Sequence, residues 1–155
     1  MDGWDTVLPD AAATAALAAR LAPLATVRDV VALRGTLGSG KTSFARAFIA
    51  ARAGRAVDVP SPTFTLVQAY DLPGGAIWHF DLYRLARADD AIELGIDEAF
   101  ATAISLIEWP ERLGDLLPAQ RLDLALAFEA EGRRAVLAAG DGWQQRLADL
   151  AGSVS

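Results

Sequence analysis

The stretch Gly35-Thr36-Leu37-Gly38-Ser39-Gly40-Lys41-Thr42 fits the phosphate-cradling pattern G-x-x-x-x-G-K-[ST] without a mismatch. Chance would supply those four fixed positions in about 0.5% of chains this long. The flanks narrow the reading further. Val30-Val31-Ala32-Leu33 is an apolar run of strand length, and Ser43-Phe44-Ala45-Arg46-Ala47-Phe48-Ile49-Ala50 places its apolar residues at helical spacing. Strand, loop, helix is the order the motif needs, because the new helix aims its positive dipole end at an anion while the glycines let backbone N–H groups approach it. Lys41 is then the group that reaches the β- and γ-phosphates, and the Thr42 hydroxyl takes a place on Mg²⁺.

The basic residues add to this. Of the 14 Lys and Arg residues, Lys41 is the sole lysine. A compact ammonium fits between phosphate oxygens where a planar guanidinium is larger and differently oriented.

Length and composition set the frame for the loop. The chain of 155 residues, 53% hydrophobic, is expected to form a single domain over 1–155 with a real core, which excludes a disordered class. With no cysteine, disulfide frameworks and thiolate zinc sites are excluded, and a cytoplasmic location is the simplest fit. No apolar run approaches ~18 residues, so no membrane association is expected. A net charge of −6 argues against stand-alone nucleic-acid binding.

In chain order, Asp10 is placed to cap a helix over 11–22 that carries Leu17 and Leu21 on one face. Thr14 lies in that helix, either solvated or as a nucleotide contact. Residues 57–62 form a proline-stiffened connection. Alternation over 63–70 then puts Thr63, Thr65 and Val67 on one strand face, where the threonines suit a γ-phosphate sensor or simple β-propensity. Pro73-Gly74-Gly75 turns that run into a hairpin with Ala76-Ile77-Trp78-His79-Phe80-Asp81.

A carboxylate ending an apolar strand is where a P-loop protein holds Mg²⁺ or orients the nucleophile, which makes Asp81 a candidate alongside a cap or an Arg84 ion pair. His79, the only histidine, is read as structural. Residues 82–97 look like surface, with a short helix over 89–94 stopped at Gly95. Ile104-Ser105-Leu106-Ile107-Glu108 is a second acid-ended strand. A carboxylate among such residues needs a cation, so Mg²⁺ or an arginine is expected to face Glu108. Trp109-Pro110-Glu111-Arg112 leaves as a loop. Residues 122–128 and 135–138 pair as a hairpin, with Arg133 as an exposed residue or a nucleotide contact. A terminal helix over 143–151 turns Leu147 and Leu150 inward.

The P-loop, Ser61-Pro62-Thr63-Phe64-Thr65-Leu66-Val67, His79-Phe80-Asp81-Leu82-Tyr83-Arg84-Leu85 and Ile107-Glu108-Trp109-Pro110-Glu111 stand in the order found in the TsaE (YjeE) family, which this chain closely resembles. The resemblance implies an α/β, P-loop NTPase-like fold with a mostly parallel central sheet, antiparallel hairpin additions and helices on both faces. It implies an ATPase, slow alone, that uses ATP and Mg²⁺. Its implied role is to support N6-threonylcarbamoyladenosine formation in tRNAs reading ANN codons, beside a TsaD-like transferase and a TsaB-like partner, with tRNA met only through that complex. The implied nucleotide contacts are Thr14, Gly35, Leu37, Gly38, Ser39, Gly40, Lys41, Thr42, Ser43 and Arg133. Thr42 and Glu108 are the implied metal ligands, and Lys41, Asp81 and Thr65 the implied catalytic set, with Thr63 or Thr65 as switch. Thr36, Ser39 and Ser43 depart from the family's usual acid, alanine and threonine. A small-molecule kinase is the competing reading, although no arginine-rich lid is evident. A GTPase reading lacks its Asn-Lys-x-Asp base reader, since the chain has no asparagine.

Overall fold

A computed structural model describes residues 3–36, 38–55, 66–130 and 132–152. Its centre is the strand that feeds the glycine loop. Val30, Val31, Ala32 and Leu33 are all buried, so β2 (Val30–Arg34) must be covered on both sheet faces. Helix α2 (Lys41–Ala53) follows the loop and ends at Gly54, whose left-handed backbone turns its N–H back onto the carbonyls of Ala50 and Ala51. Upstream, α1 (Ala11–Leu21) starts where expected: the Asp10 carboxylate accepts from the Ala13 N–H at 2.8 Å, and Leu17 and Leu21 are buried. A 3₁₀ turn at Ala22–Leu24 closes it around Pro23.

The other strands are β1 (Gly3–Leu8), β3 (Val67–Tyr70), β4 (Ile77–Asp81), β5 (Ile104–Glu108), β6 (Leu122–Glu129) and β7 (Gly132–Ala139). All seven form one sheet in the order β1-β7-β6-β2-β5-β4-β3. The pairs β6–β2, β2–β5 and β5–β4 are parallel, while β1–β7, β7–β6 and β4–β3 are antiparallel. A parallel centre with hairpins at both ends matches the expected architecture.

Side-chain alternation assigns the two faces. Val31, Leu33, Ile77, Ile104, Leu106, Leu122 and Leu124 join α1, α2 and α5 (Asp141–Gly152) in one core. Val30, Phe80 and Ile107 face the other way, against Ala91 of α3 (Asp90–Glu93) and Ile96 and Ala99 of α4 (Ile96–Thr102). Helices therefore cover both faces. None of the described helices is long and apolar enough to cross a membrane.

One expectation needs correction and one needs refinement. Residues 82–97 run along the surface, with Tyr83 and Ile92 exposed, but Leu82, Leu85, Ala91 and Ile96 are buried in the second core. The short helix ends before Gly95, as expected. Gly95 adopts φ 88° and redirects the chain into α4, its carbonyl accepting from Ala99. Trp109-Pro110-Glu111-Arg112 is not a loop, because a 3₁₀ segment runs over Pro110–Leu116 with a kink at Gly114. The strand expected over 63–70 is present from Val67 onward, and Thr63 and Thr65 lie outside the described residues. The hairpins β3–β4 and β6–β7 and the terminal helix are present. Leu147 is buried, and the Leu150 side chain is outside the described set.

Candidate functional site

Parallel strands end together, so the C-terminal ends of β2, β4 and β5 share one rim. Register places Leu33 beside Glu108 and Glu108 beside Asp81. Parity then fixes direction: Glu108 shares its face with Ile104 and Leu106, and Asp81 and His79 share theirs with Ile77, which is the α2 side. The carboxylates therefore point toward the first turn of the helix that carries Lys41 and Thr42.

The loop is shaped by glycine where no other residue fits. A Cβ on Gly35, at φ 146°, would lie 2.5 Å from Ser39 Oγ and 2.6 Å from the Leu126 carbonyl. Gly40, at φ 107°, starts α2 from the left-handed region. Inside the loop the Lys41 ammonium donates to the carbonyls of Gly35 at 2.6 Å and Thr36 at 2.9 Å. It sits 4.3 Å from the centroid of the Trp109 ring, and the residue is only 4% exposed. Desolvation pulls the Lys41 pKa below its ordinary value, against the opposing charges of Glu108, Asp81 and Glu111. Trp109 adopts a left-handed backbone (φ 61°) and packs its ring at a tilt against Tyr83, centroids 4.9 Å apart, so the aromatic pair borders the lysine.

Thr42 Oγ1 donates to Glu108 at 2.8 Å and 3.0 Å, one distance to each carboxylate oxygen. His79 Nε2 lies 2.7 Å from Glu108 Oε2. Among the described residues Glu108 thus meets a hydroxyl and an imidazole. Asp81, 6% exposed, accepts from the Tyr83 N–H at 3.1 Å.

Arg133 reaches across from β7, donating to the carbonyls of Ser39 at 3.0 Å and Gly38 at 3.2 Å while lying over the Phe128 ring. These groups line a cavity of about 480 Å³ bounded by Gly38, Gly40, Lys41, Thr42, Ser43, Asp81, Tyr83, Arg84, Glu108, Trp109 and Arg133. That is within the range of small-molecule sites, roughly 300–1,000 Å³. A smaller one of about 100 Å³ adjoins it, between Thr14 of α1 and Ser39, Gly40, Ser43 and Arg133.

Every described residue of the expected set therefore gathers at one rim: Thr14, Gly35, Gly38, Ser39, Gly40, Lys41, Thr42, Ser43, Asp81, Glu108 and Arg133. Leu37 and Thr65 lie outside the described residues. His79, read from sequence as structural, touches Glu108. Its position two residues before Asp81, hence on the same strand face, was the available signal. Tyr83 and Arg84 also line the cavity and had no signal beyond their place after Asp81.

The donor set suits a magnesium polyphosphate. Ser39 Oγ is buried without a partner at the loop, which leaves a hydroxyl available to an anion's oxygen. Among the described residues no three His, Cys, Asp or Glu side chains gather as a metal cage. One hydroxyl and one carboxylate are what Mg²⁺ typically takes from protein when phosphate oxygens and water fill the remaining positions.

An acid-rimmed parallel sheet with a glycine loop feeding a helix at its centre defines an α/β protein of P-loop NTPase-like architecture. Residues 8–136 match the family model of the threonylcarbamoyl adenosine biosynthesis protein TsaE. The chain belongs to the TsaE family. The tRNA threonylcarbamoyladenosine biosynthesis protein TsaE of Rickettsia bellii is 40% identical over 119 residues, covering 77% of this chain and 80% of that protein. Its namesake in Bacillus subtilis is 35% identical over 134 residues, 86% of this chain and 82% of its own length. The crystal structure of Bacillus subtilis YdiB aligns with TM-score 0.80 at 28% identity, covering 99% of this chain and 96% of that one.

Proposed function

We propose that this chain is an Mg²⁺-dependent ATP-binding and ATP-hydrolysing subunit that supports threonylcarbamoyl modification of tRNAs reading ANN codons. It acts in the cytoplasm with a TsaD-like transferase and a TsaB-like partner, and meets tRNA only through them. One observation carries the reading: the sole lysine, the hydroxyl that follows it and the acid ending β5 converge on one cavity. A net charge of −6 favours contact with tRNA through partners.

In this reading Gly38, Ser39, Gly40 and Lys41 hold the phosphates, with Leu37 completing the loop. Thr14, Gly35, Ser43 and Arg133 border the same nucleotide. Thr42 and Glu108 hold Mg²⁺, which when bound supplies Lewis-acid neutralisation of phosphate-oxygen charge. Lys41, confined beneath Trp109, keeps its ammonium directed into the loop. Asp81, on the same rim, orients or deprotonates the attacking water. Thr65 serves as a γ-phosphate switch.

Equilibrium dialysis of the purified chain with ATP and millimolar Mg²⁺ tests the binding, and phosphate release with and without the two partners tests the activity. Retained ATP and partner-stimulated release are the expected results. No adenine nucleotide retained, alone or with partners, would overturn the proposal. Transfer of phosphate to a small alcohol in place of water would favour a kinase.

A further inference from the structure

His79 is a polar side chain of the rim to which the proposed activity gives no task. It is fully buried, on the α2 side of β4, with Nε2 2.7 Å from Glu108 Oε2 and Nδ1 without any partner. Register explains the contact: Asp81 pairs with Glu108 and His79 with Leu106, so His79 approaches the carboxylate diagonally from inside the sheet. An unpartnered Nδ1 is less costly as a bare acceptor than as a buried N–H, which makes Nε2 the protonated nitrogen and the donor.

The oxygens of Glu108 are thereby made unequal. Oε2 accepts from the buried His79, whereas Oε1 is the oxygen nearer to Thr42, at 2.8 Å against 3.0 Å, and takes the single proton of a hydroxyl that is itself the other proposed metal ligand. The geometry points to His79 as a positioning residue that locks Glu108 so that a divalent cation is offered Oε1 alone, with Oε2 withheld. This rests on the magnesium-nucleotide reading given above. Its consequence is selectivity. A carboxylate confined to one oxygen suits Mg²⁺, which demands near-octahedral geometry and few protein ligands, and disfavours Ca²⁺, which readily takes both oxygens of a carboxylate.

The test compares the full-length chain with His79→Leu, which keeps apolar bulk without a donor, and His79→Gln, which restores an N–H. Each is titrated calorimetrically with the non-hydrolysable analogue adenosine 5′-(β,γ-imido)triphosphate in Mg²⁺, in Ca²⁺ and in EDTA. In the parent chain Mg²⁺ should strengthen binding more than Ca²⁺ does. His79→Leu should lose about tenfold of the Mg²⁺-dependent gain and narrow the Mg²⁺/Ca²⁺ preference, with the EDTA value unchanged. His79→Gln should recover most of both. A purely structural histidine would lower the melting temperature without moving the metal preference, and that result would overturn the inference.

Because His79 is the only histidine in the chain, its imidazole ¹⁵N signals need no assignment. The metal-free parent should show the Nε2–H tautomer, and the Nδ1–H tautomer would refute the assignment even if His79→Leu fails to fold. Should the parent retain no analogue at all, the nucleotide reading falls, while the tautomer still decides whether His79 holds Glu108. Parent binding with an unaltered His79→Leu metal preference defeats this inference alone.

Discussion

At the scale of single residues, the site combines positions that sequence displays at once with positions that only folding brings together. Gly35 to Thr42 are contiguous, so their chemistry is legible as a string. Thr42 and Glu108 are 66 residues apart, and His79 and Glu108 are 29 apart. Glu108 was legible because an acid at the end of an apolar strand is costly without a partner, but which partner meets it depends on register, which a lone strand does not specify. Gly35→Ala should destabilise the chain by about 2–3 kcal/mol, since the new Cβ meets Ser39 Oγ and the Leu126 carbonyl from a positive-φ backbone. Thermal unfolding checks this, and an unchanged melting temperature would show that the loop opens readily. Thr42→Ala should weaken Mg²⁺-assisted nucleotide affinity about tenfold, equivalent to about 1.4 kcal/mol. Thr42→Ser, which keeps the hydroxyl, should stay close to the parent in the same calorimetric titration.

Whole elements were legible where local signals agreed with one another. Helix α1 has its Asp10 cap and a leucine pair, α2 has its loop and a terminal glycine, and both hairpins have turns flanked by alternation. Two elements lacked such agreement. Strand β1 is a short edge whose evidence is its partner: Trp4 lies opposite Leu137 and Leu8 opposite Arg133, contacts more than a hundred residues away in the chain. Helix α4 follows Gly95 directly, and a glycine after a short helix ordinarily marks an end. The β6–β7 hairpin does more than extend the sheet, because Arg133 ties it to the loop through the Gly38 and Ser39 carbonyls. Arg133→Ala should therefore reduce nucleotide affinity several-fold, with a stability loss of about 1 kcal/mol or less, as the lost bonds are partly exposed. Urea unfolding and calorimetry on the same sample separate the two effects. A large stability loss with unaltered affinity would make Arg133 a simple hairpin brace.

For the whole molecule, the decisive feature is that two cores share one sheet. Phe44, on α2, lies in the core with α1 and α5, and Phe80, on β4, lies in the core with α3 and α4. Both are fully buried, so replacing either with alanine should cost about 3–5 kcal/mol. Because β2, β4 and β5 contribute side chains to both faces, neither core can be lost while the other keeps its floor. Phe44→Ala and Phe80→Ala are thus expected to lower one common transition. The tryptophans report on both sides: Trp143 is buried in the first core, while Trp78 and Trp109 pack against the second. Urea unfolding followed by tryptophan fluorescence should coincide with far-ultraviolet circular dichroism, in the parent and in both variants. As a control, Ile92→Ala, at a residue 47% exposed, should shift stability by no more than about 0.5 kcal/mol. Two separated transitions, one moved by each phenylalanine, would mean that the helices over α3 and α4 detach on their own. In that event Asp81, Tyr83 and Trp109, whose chain segments anchor in the second core, could leave the rim while Lys41 and Thr42 remain, and the site would be assembled by folding of that face.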